Sequence, residues 1–349
     1  MSRRVFTPIR LRFVLEDFAL STPGQQLLDR FVLGYPVDSG GIHKSDAVSV
    51  GACVVSGGIP EPLRAGRLKA GLTLFPTWEE TVNEAMAVVV VPRGQGAEPN
   101  APLVRKVLDR LPRGARCFVH GLLASTGDEA EALAQIAAQR GVELRSGTSV
   151  AATWRLPALA PPAGRVLKQG LAVVQGTAPW AEMNALEGLA PWTELRRAAD
   201  LSVRTVRRLE GDEVWRHLDA EPAMAELLAA ALSRTDSPLG GALHDGRTED
   251  LMAPGRARQL AKTPRAWIVE DADGFRSTLM VLNGVVGDFN VAVRDSSDQV
   301  WSAQIFRPLP PLEHHYNRLA EAIESFLVNG ACWSLRRSIR IAALVERMK

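Results

Sequence analysis

The sequence predicts a two-domain α/β protein, with an N-terminal Rossmann-like doubly wound parallel sheet and a C-terminal α+β domain built on a large open antiparallel sheet. Three observations support this. The first half alternates short β-branched runs with amphipathic stretches. The run Ala87 to Val91 is apolar on both faces, which is typical of a parallel strand covered by helices on both sides. A chain of 349 residues is also long enough for two cores.

The elements of the first half follow from hydrophobic periodicity. Strands are expected at 11–15, 47–55, 87–91 and 117–119. Helices are expected at 25–33, 77–85, 102–111 and 126–140, and Gly141 ends the last of them. Alternating strands and helices in this order build a parallel sheet.

A Pro-rich and Gly-rich stretch at 156–164 marks the domain boundary, giving domains 1–155 and 156–349. Beyond it, strands expected at 201–209, 266–270, 275–282, 285–294 and 300–306 predict an antiparallel meander. Two helices, at 312–328 and 335–348, close the second domain.

Composition excludes several classes of partner. The formal net charge is +2, with 41 Lys and Arg against 39 Asp and Glu, so nucleic acid and membrane surfaces are not expected partners. The start of the chain lacks an apolar run of signal-peptide length, which predicts a cytoplasmic protein. Three widely spaced cysteines predict neither disulfides nor a metal site.

Three segments together resemble the glucose-fructose oxidoreductase and inositol dehydrogenase family, Gfo/Idh/MocA. They are RGARCFVHGLLASTGDEAEALAQIAAQRGVELRSGTS at 113–149, TSVAATWRLPAL at 148–159 and the tail at 311–346. The resemblance implies an NAD- or NADP-binding Rossmann domain and hydride transfer to or from a sugar, polyol or related carbon. It also implies a homo-oligomer formed through an exposed face of the C-terminal sheet.

The resemblance locates the cofactor-binding residues in two turns. The phosphate turn at 15–24 contains one glycine and two carboxylates, and only Ser21 and Thr22 offer hydroxyl donors. A helix cap without a ligand is the competing interpretation of this pair. The acidic residue that usually binds the adenosine ribose is replaced by Ser56, so no preference between NAD and NADP follows.

The catalytic positions of the family also differ. The catalytic Lys falls on Gly121, which leaves the adjacent His120 as a candidate acid/base or as a simple structural histidine. The catalytic His falls on Asn184, which can orient a hydroxyl but cannot carry a proton at neutral pH. Glu182 and Glu187 remain as ionisable candidates, against the alternative of a solvated helix face.

Further residues are candidates for contact with a substrate. Trp154 and Arg155 lie at the crossover between the domains, where a guanidinium could clamp a carboxylate or phosphate, and domain packing is the alternative. Arg234 lies in a polar loop after a helix.

These departures favour a catalytically altered protein that binds a small molecule or peptide in an interdomain cleft, or serves as a partner subunit. The rival hypothesis is an active NAD(P)-dependent oxidoreductase that uses His120 or Glu182. A lyase or isomerase that does not exchange its cofactor is a third.

Overall fold

The computed structural model describes residues 8–196, 200–236, 250–251, 253–308 and 313–349. The described strands are β1 (Ile9–Leu15), β2 (Tyr35–Pro36), β3 (Ile42–His43), β4 (Val48–Val54), β5 (Thr73–Leu74), β6 (Ala87–Val91), β7 (Arg116–His120), β8 (Glu143–Gly147), β9 (Arg155–Leu156), β10 (Leu167–Val174), β11 (Val203–Glu210), β12 (Arg265–Asp271), β13 (Arg276–Val281), β14 (Phe289–Asp295) and β15 (Val300–Ile305). The described helices are α1 (Pro23–Val32), α2 (Leu63–Lys69), α3 (Trp78–Val82), α4 (Ala101–Arg110), α5 (Gly127–Arg140), α6 (Ser149–Ala152), α7 (Trp180–Thr193), α8 (Asp212–Ala220), α9 (Pro222–Leu232), α10 (Arg256–Leu260), α11 (His315–Asn329) and α12 (Leu335–Arg347).

The chain divides into two compact units. Unit 1 comprises Met1–Ala152 and Pro308–Glu346, and unit 2 comprises Thr153–Arg307 and Arg347–Lys349. The predicted boundary at 155/156 is close to the division at 152/153. The assignment of the closing helices to the second domain differs from the structure, because the apolar side of α11 lies in the core of unit 1.

Unit 1 contains a six-stranded sheet in the order β5-β4-β1-β6-β7-β8. Each pairing in this sheet is parallel. The chain winds outward in both directions from the centre, so the carboxyl ends of β1 and β6 meet where the strand order reverses. Doubly wound proteins bind their ligands at this edge of the sheet.

Helices cover both faces of the parallel sheet. Val89 of β6 lies in one core cluster with Leu27 of α1 and Ile323 of α11. The next residue, Val90, lies in the other cluster with Val104 of α4. Alternate residues of a strand point to opposite faces, so the prediction that this strand is apolar on both faces is confirmed.

Unit 2 contains a seven-stranded sheet in the order β11-β12-β13-β10-β14-β15-β9. The predicted fold class, a Rossmann-like unit followed by an α+β unit, is confirmed. The prediction of a consecutive antiparallel meander is wrong in one respect, since β10 runs parallel to β13 and antiparallel to β14. The strand at 167–174 was not expected, and it lies between two strands that a meander would have paired.

Helices also cover both faces of the second sheet around β10. A Cβ on Gly170 would lie 3.3 Å from Leu189 of α7. The next residue, Leu171, lies in a core cluster with Leu227 of α9. The two helices therefore cover opposite faces. The homo-oligomer stays a prediction, and around β10 its contact surface would be helices rather than an exposed face of strands.

None of the helices in the described parts of the chain combines the length and the apolar character that a membrane span requires.

A buried ion pair fixes α1 beside α2. Arg67 donates from Nε to Asp29 Oδ1 at 2.6 Å and from Nη2 to Oδ2 at 2.5 Å. Both side chains are nearly inaccessible to solvent. Removing one partner from such a pair leaves an uncompensated buried charge.

We expect Asp29→Asn to lower the free energy of unfolding by about 3 kcal/mol. The matched control is Glu61→Gln, which removes the half-exposed ion pair with Arg64 and should cost less than about 1 kcal/mol. Urea unfolding followed by circular dichroism measures both. Equal losses in the two variants would contradict a structural role for the buried pair.

Candidate functional site

The turn between β1 and α1 is closed by its own side chains. The hydroxyl of Thr22 caps α1 by accepting from the Gln25 amide at 3.4 Å, and it donates to the carbonyl of Ala19 at 2.8 Å. The Gln25 side chain in turn accepts from the Ser21 amide at 3.0 Å. Pro23 has no N–H to offer. Thr22 and Ser21, the predicted cofactor-binding pair, therefore take part in a helix cap.

The single glycine of this turn, Gly24 in α1, lies close to the backbone of the preceding loop. A Cβ on Gly24 would lie 2.9 Å from the carbonyl oxygen of Asp17. The turn therefore folds back onto the first turn of α1, where a dinucleotide-binding turn presents its amides to phosphate.

A carboxylate lies at the point where the strand order reverses. Glu16 directly follows β1, and its Oε2 accepts from the Arg93 amide at 2.8 Å. Its Oε1 accepts from Nδ2 of Asn100 at 2.9 Å. Asn100 also caps α4 by accepting from the Leu103 amide. Glu16 thus ties the β1 loop to the loop after β6, and its negative charge opposes a dianionic ligand there.

Ser56 lies at the end of β4, where its backbone amide donates to the carbonyl of Glu16 at 3.0 Å. The side chain is exposed, and open space surrounds the following Gly57 and Gly58. The structure thus brings Ser56 beside the β1 loop while its hydroxyl remains accessible to a ligand.

Gly121 contacts the backbone of the loop that follows β6. Its φ is +88°, and a Cβ at this position would lie 2.1 Å from the carbonyl oxygen of Gly96. That carbonyl accepts from the amide of Leu122 at 2.7 Å, while the Gly121 amide donates to Gly147 at 2.9 Å. No side chain fits at position 121 with these loops in place.

His120 is the last residue of β7 and is buried beside the same contact. Nδ1 has no hydrogen-bond partner among the described residues, and its ring lies 6.1 Å from the ring of Tyr316. Burial lowers the pKa of His120 to about 4, so the ring is neutral at pH 7. A neutral imidazole in this position can accept or donate one hydrogen bond but carries no charge.

The helix α7 of unit 2 carries three of the predicted catalytic and substrate-binding residues, and all three are buried. Asn184 donates from Nδ2 to the carbonyl of Trp180, one turn earlier, at 2.7 Å. Glu182 lies 3.5 Å from Nη2 of Arg265 on β12, and neither carboxylate oxygen has a hydrogen-bond partner within the described residues. The interpretation of Glu182 and Glu187 as a solvated helix face is therefore wrong.

The crossover residues attach β9 to unit 2. Arg155 donates from Nη2 to the carbonyl of Gly188 on α7 at 3.0 Å and from Nη1 to that of Thr153 at 2.7 Å. The ring of Trp154 meets that of Phe306 edge-on at 6.2 Å. These contacts provide packing within the unit.

Arg234 follows α9 and donates from Nε to the hydroxyl of Ser302 at 2.9 Å. The neighbouring Thr235 hydroxyl lies 2.7 Å from Asp288. Arg234 therefore belongs to a polar network at the end of α9, on a different element from the α7 candidates.

Two residues at this edge, Asn100 and Gly96, were not among the candidates predicted from the sequence. Asn100 carries a recognisable signal, because Asn followed two residues later by Pro is typical of a helix start. Gly96 carries none, since its role depends on a loop that is distant in sequence.

No protein-family model matches the sequence, and no curated protein matches it. Solved structures do match. GenD2 from gentamicin A biosynthesis, in complex with NAD, aligns at TM-score 0.60 and 12% identity over 98% of this chain and 95% of its own. Myo-inositol dehydrogenase from Lactobacillus casei, in complex with NAD(H) and myo-inositol, aligns at TM-score 0.58 and 11% identity over 98% and 93%. UDP-N-acetylglucosamine 3-dehydrogenase GnnA from Acidithiobacillus ferrooxidans aligns at TM-score 0.55 and 13% identity over 98% and 97%.

The chain has the fold of the Gfo/Idh/MocA-type dehydrogenases. The likeness extends over both units, because each alignment spans nearly the whole of both chains. At these identities it establishes the dehydrogenase fold, while activity has to be argued from the site residues.

The close contact at Gly121 should make the protein's stability sensitive to substitution at this position. Gly121→Ala should lower the free energy of unfolding by about 3 kcal/mol or more, because the new Cβ meets backbone. The matched control is Gly57→Ala, which has φ +93° but open space around it and should cost about 1 kcal/mol. Thermal unfolding of both variants measures the difference, and equal shifts would contradict the close contact of the two loops.

Burial of neutral His120 makes stability depend on pH. Its folded pKa lies below the ordinary value, so the unfolded chain takes up the proton first as the pH falls below about 6.5. The contribution of His120 is thus complete above that pH and is lost towards pH 4.

Between pH 7 and pH 4.5 we expect the stability of the wild type to fall by about 2.5 kcal/mol more than that of His120→Leu, which cannot titrate there. Urea titrations at the two pH values measure this, and a constant difference between the proteins would contradict a buried neutral ring.

Proposed function

We propose that this chain is a non-redox protein on a dehydrogenase fold, which binds a small molecule or peptide or serves as a partner subunit and has lost ordinary hydride transfer. The contact between Gly121 and Gly96 carries this proposal. Aligned through Phe118, the catalytic Lys of the resembled family falls on Gly121, where a Cβ would lie 2.1 Å from a carbonyl oxygen. The position lacks the side chain and also the space for one.

The phosphate end of the dinucleotide site gives independent support. By the resemblance, Glu16 and Asp17 fall in the turn that would have to offer hydrogen-bond donors to a diphosphate, and Nε of Arg93 lies 4.0 Å from the Asp17 carboxylate. The Arg93 amide and Asn100 Nδ2, two donors at this edge, are already bound to the Glu16 carboxylate. The Thr22 hydroxyl, a third, caps α1. A dinucleotide would have to displace these contacts.

Residues of unit 2 also support the loss of hydride transfer. By the resemblance, the catalytic His of the family falls on Asn184, whose side-chain amide donates within α7. An amide that cannot titrate and is already committed to a helix carbonyl does not act as an acid or base.

The second candidate function is an NAD(P)-dependent oxidoreductase acting on a sugar, polyol or related substrate. His120 favours it, because this ring ends β7 beside position 121 and its Nδ1 has no hydrogen-bond partner among the described residues. Two of the similar structures, GenD2 and the Lactobacillus casei myo-inositol dehydrogenase, are complexes with NAD or NAD(H). Its low pKa makes His120 a weak base at pH 7.

Titration of the full chain with NADH and NADPH, followed by fluorescence of its eight tryptophans, distinguishes the two functions. We expect no saturable binding, which corresponds to a Kd weaker than about 1 mM. Glu16→Gln is the matched variant, since it keeps an acceptor oxygen and removes the charge. Binding gained by this variant alone would assign exclusion of the nucleotide to that carboxylate.

Saturable binding of either nucleotide to the wild type at micromolar concentration would overturn the proposal. The oxidoreductase would then be tested with inositols and nucleotide sugars as substrates, comparing the wild type with His120→Asn and Glu182→Gln.

A further inference from the structure

A groove of about 350 Å³ lies in unit 1 between the β2–β3 hairpin and α11. Its polar lining includes Tyr35, His43, Glu321 and Glu324. None of its lining residues belongs to the loops at the carboxyl ends of the parallel strands. The volume falls within the range of small-molecule sites, at the lower end.

Tyr35 brings an unused polar group to this groove. The residue is 4% exposed, and its hydroxyl has no hydrogen-bond partner among the described residues. Its ring meets that of His43 edge-on at 5.3 Å and belongs to the core cluster of unit 1. A buried hydroxyl without a partner costs stability, so a ligand group that reaches it gains a hydrogen bond without breaking one within the protein.

Two carboxylates line the same groove as Tyr35. Glu321 and Glu324 are three residues apart and therefore share one side of α11. Burial raises the pKa of Tyr35, and the two carboxylates raise it further, as expected for charges close to the phenol oxygen. The hydroxyl thus stays protonated and neutral at pH 7.

Each carboxylate retains capacity for a ligand. Glu324 lies 2.8 Å from Nε2 of His43, and Glu321 lies 2.5 Å from Nη1 of Arg318. Each of these contacts engages one carboxylate oxygen, whereas a carboxylate offers about four acceptor sites. The groove is therefore rich in acceptors, and its free acceptors carry negative charge.

Negatively charged acceptors favour a cationic ligand, and the other lining residues indicate which kind of cation fits. Within the described residues, no group of three His, Cys, Asp or Glu side chains is arranged to hold a metal ion. Val37 and Val328 supply apolar walls, and Ile42 on β3 is 70% exposed. Acceptors between apolar walls match an N–H donor on an aliphatic stem.

We propose that this groove binds a primary ammonium group on an aliphatic stem, whose three N–H donors reach the Tyr35 hydroxyl, Glu321 and Glu324. This site is separate from the carboxyl-end loops and does not depend on the proposed loss of hydride transfer. The ammonium group comes from a free small amine or from a lysine side chain of a peptide.

Isothermal titration calorimetry of the full chain with n-hexylammonium tests the chemistry of the site. Hexanol and hexanoate, which have the same stem, are the matched ligands. We expect saturable binding of the ammonium at least about ten-fold tighter than that of the alcohol, and no binding of the carboxylate. Equal affinity for the alcohol, or no detectable binding of hexylammonium, would overturn the proposal.

Two variants locate the binding. Tyr35→Phe and Glu324→Gln should each weaken hexylammonium binding about ten-fold, whereas Glu131→Gln on the exposed side of α5 should leave it unchanged. Tyr35→Phe removes a hydroxyl without a partner, so it should unfold at the wild-type temperature or above. Unchanged affinity in both groove variants would overturn the assignment to this groove.

Nα-acetyl-lysine methylamide distinguishes the two sources of the ammonium. Binding tighter than that of hexylammonium, and lost in Tyr35→Phe, supports a peptide lysine. Weaker binding supports a free amine. Binding of neither compound would overturn the ammonium site itself.

Discussion

The carboxyl edge of the parallel sheet depends on one contact between two loop backbones. Gly96, after β6, offers its carbonyl to the amide of Leu122 at 2.7 Å, directly beside Gly121. Loops can approach this closely only where neither bears a side chain in the contact, which explains glycine at both positions. The contact also buries His120, whose imidazole lies under Gly96, and burial keeps that ring neutral. One steric constraint thus sets both the space and the protonation state at the end of β7.

At the same edge of the sheet, a carboxylate after the neighbouring strand β1 occupies two hydrogen-bond donors. The Glu16 carboxylate joins the β1 loop to the β6 loop through the Arg93 amide and Asn100. A dehydrogenase fold usually keeps such donors for the phosphates and ribose of its cofactor. Here the chain supplies its own anion, so the architecture is retained while its donors are engaged internally.

In unit 2, the polar candidate residues of α7 are buried. The segment between β11 and β12 forms α8, α9 and α10, and α9 covers the face of the sheet opposite α7. The polar groups of α7 are directed into the unit, where Arg265 approaches Glu182 and the Trp180 carbonyl accepts from Asn184. These polar groups therefore lie buried inside unit 2.

The sequence by itself determined the fold class, the central strand Ala87–Val91 and most helix bounds of unit 1, because these follow from local periodicity and capping. Its resemblance to a known family also led to the prediction that Gly121 and Asn184 replace catalytic residues. Only the tertiary structure decided the position of β10 between β13 and β14, the packing of α11 with unit 1, and the contact of Gly96 with Gly121. The groove beside Tyr35 was likewise decided only by the tertiary structure. Each joins segments that are distant along the chain, and such pairings depend on the packing of the whole sheet rather than on any local pattern.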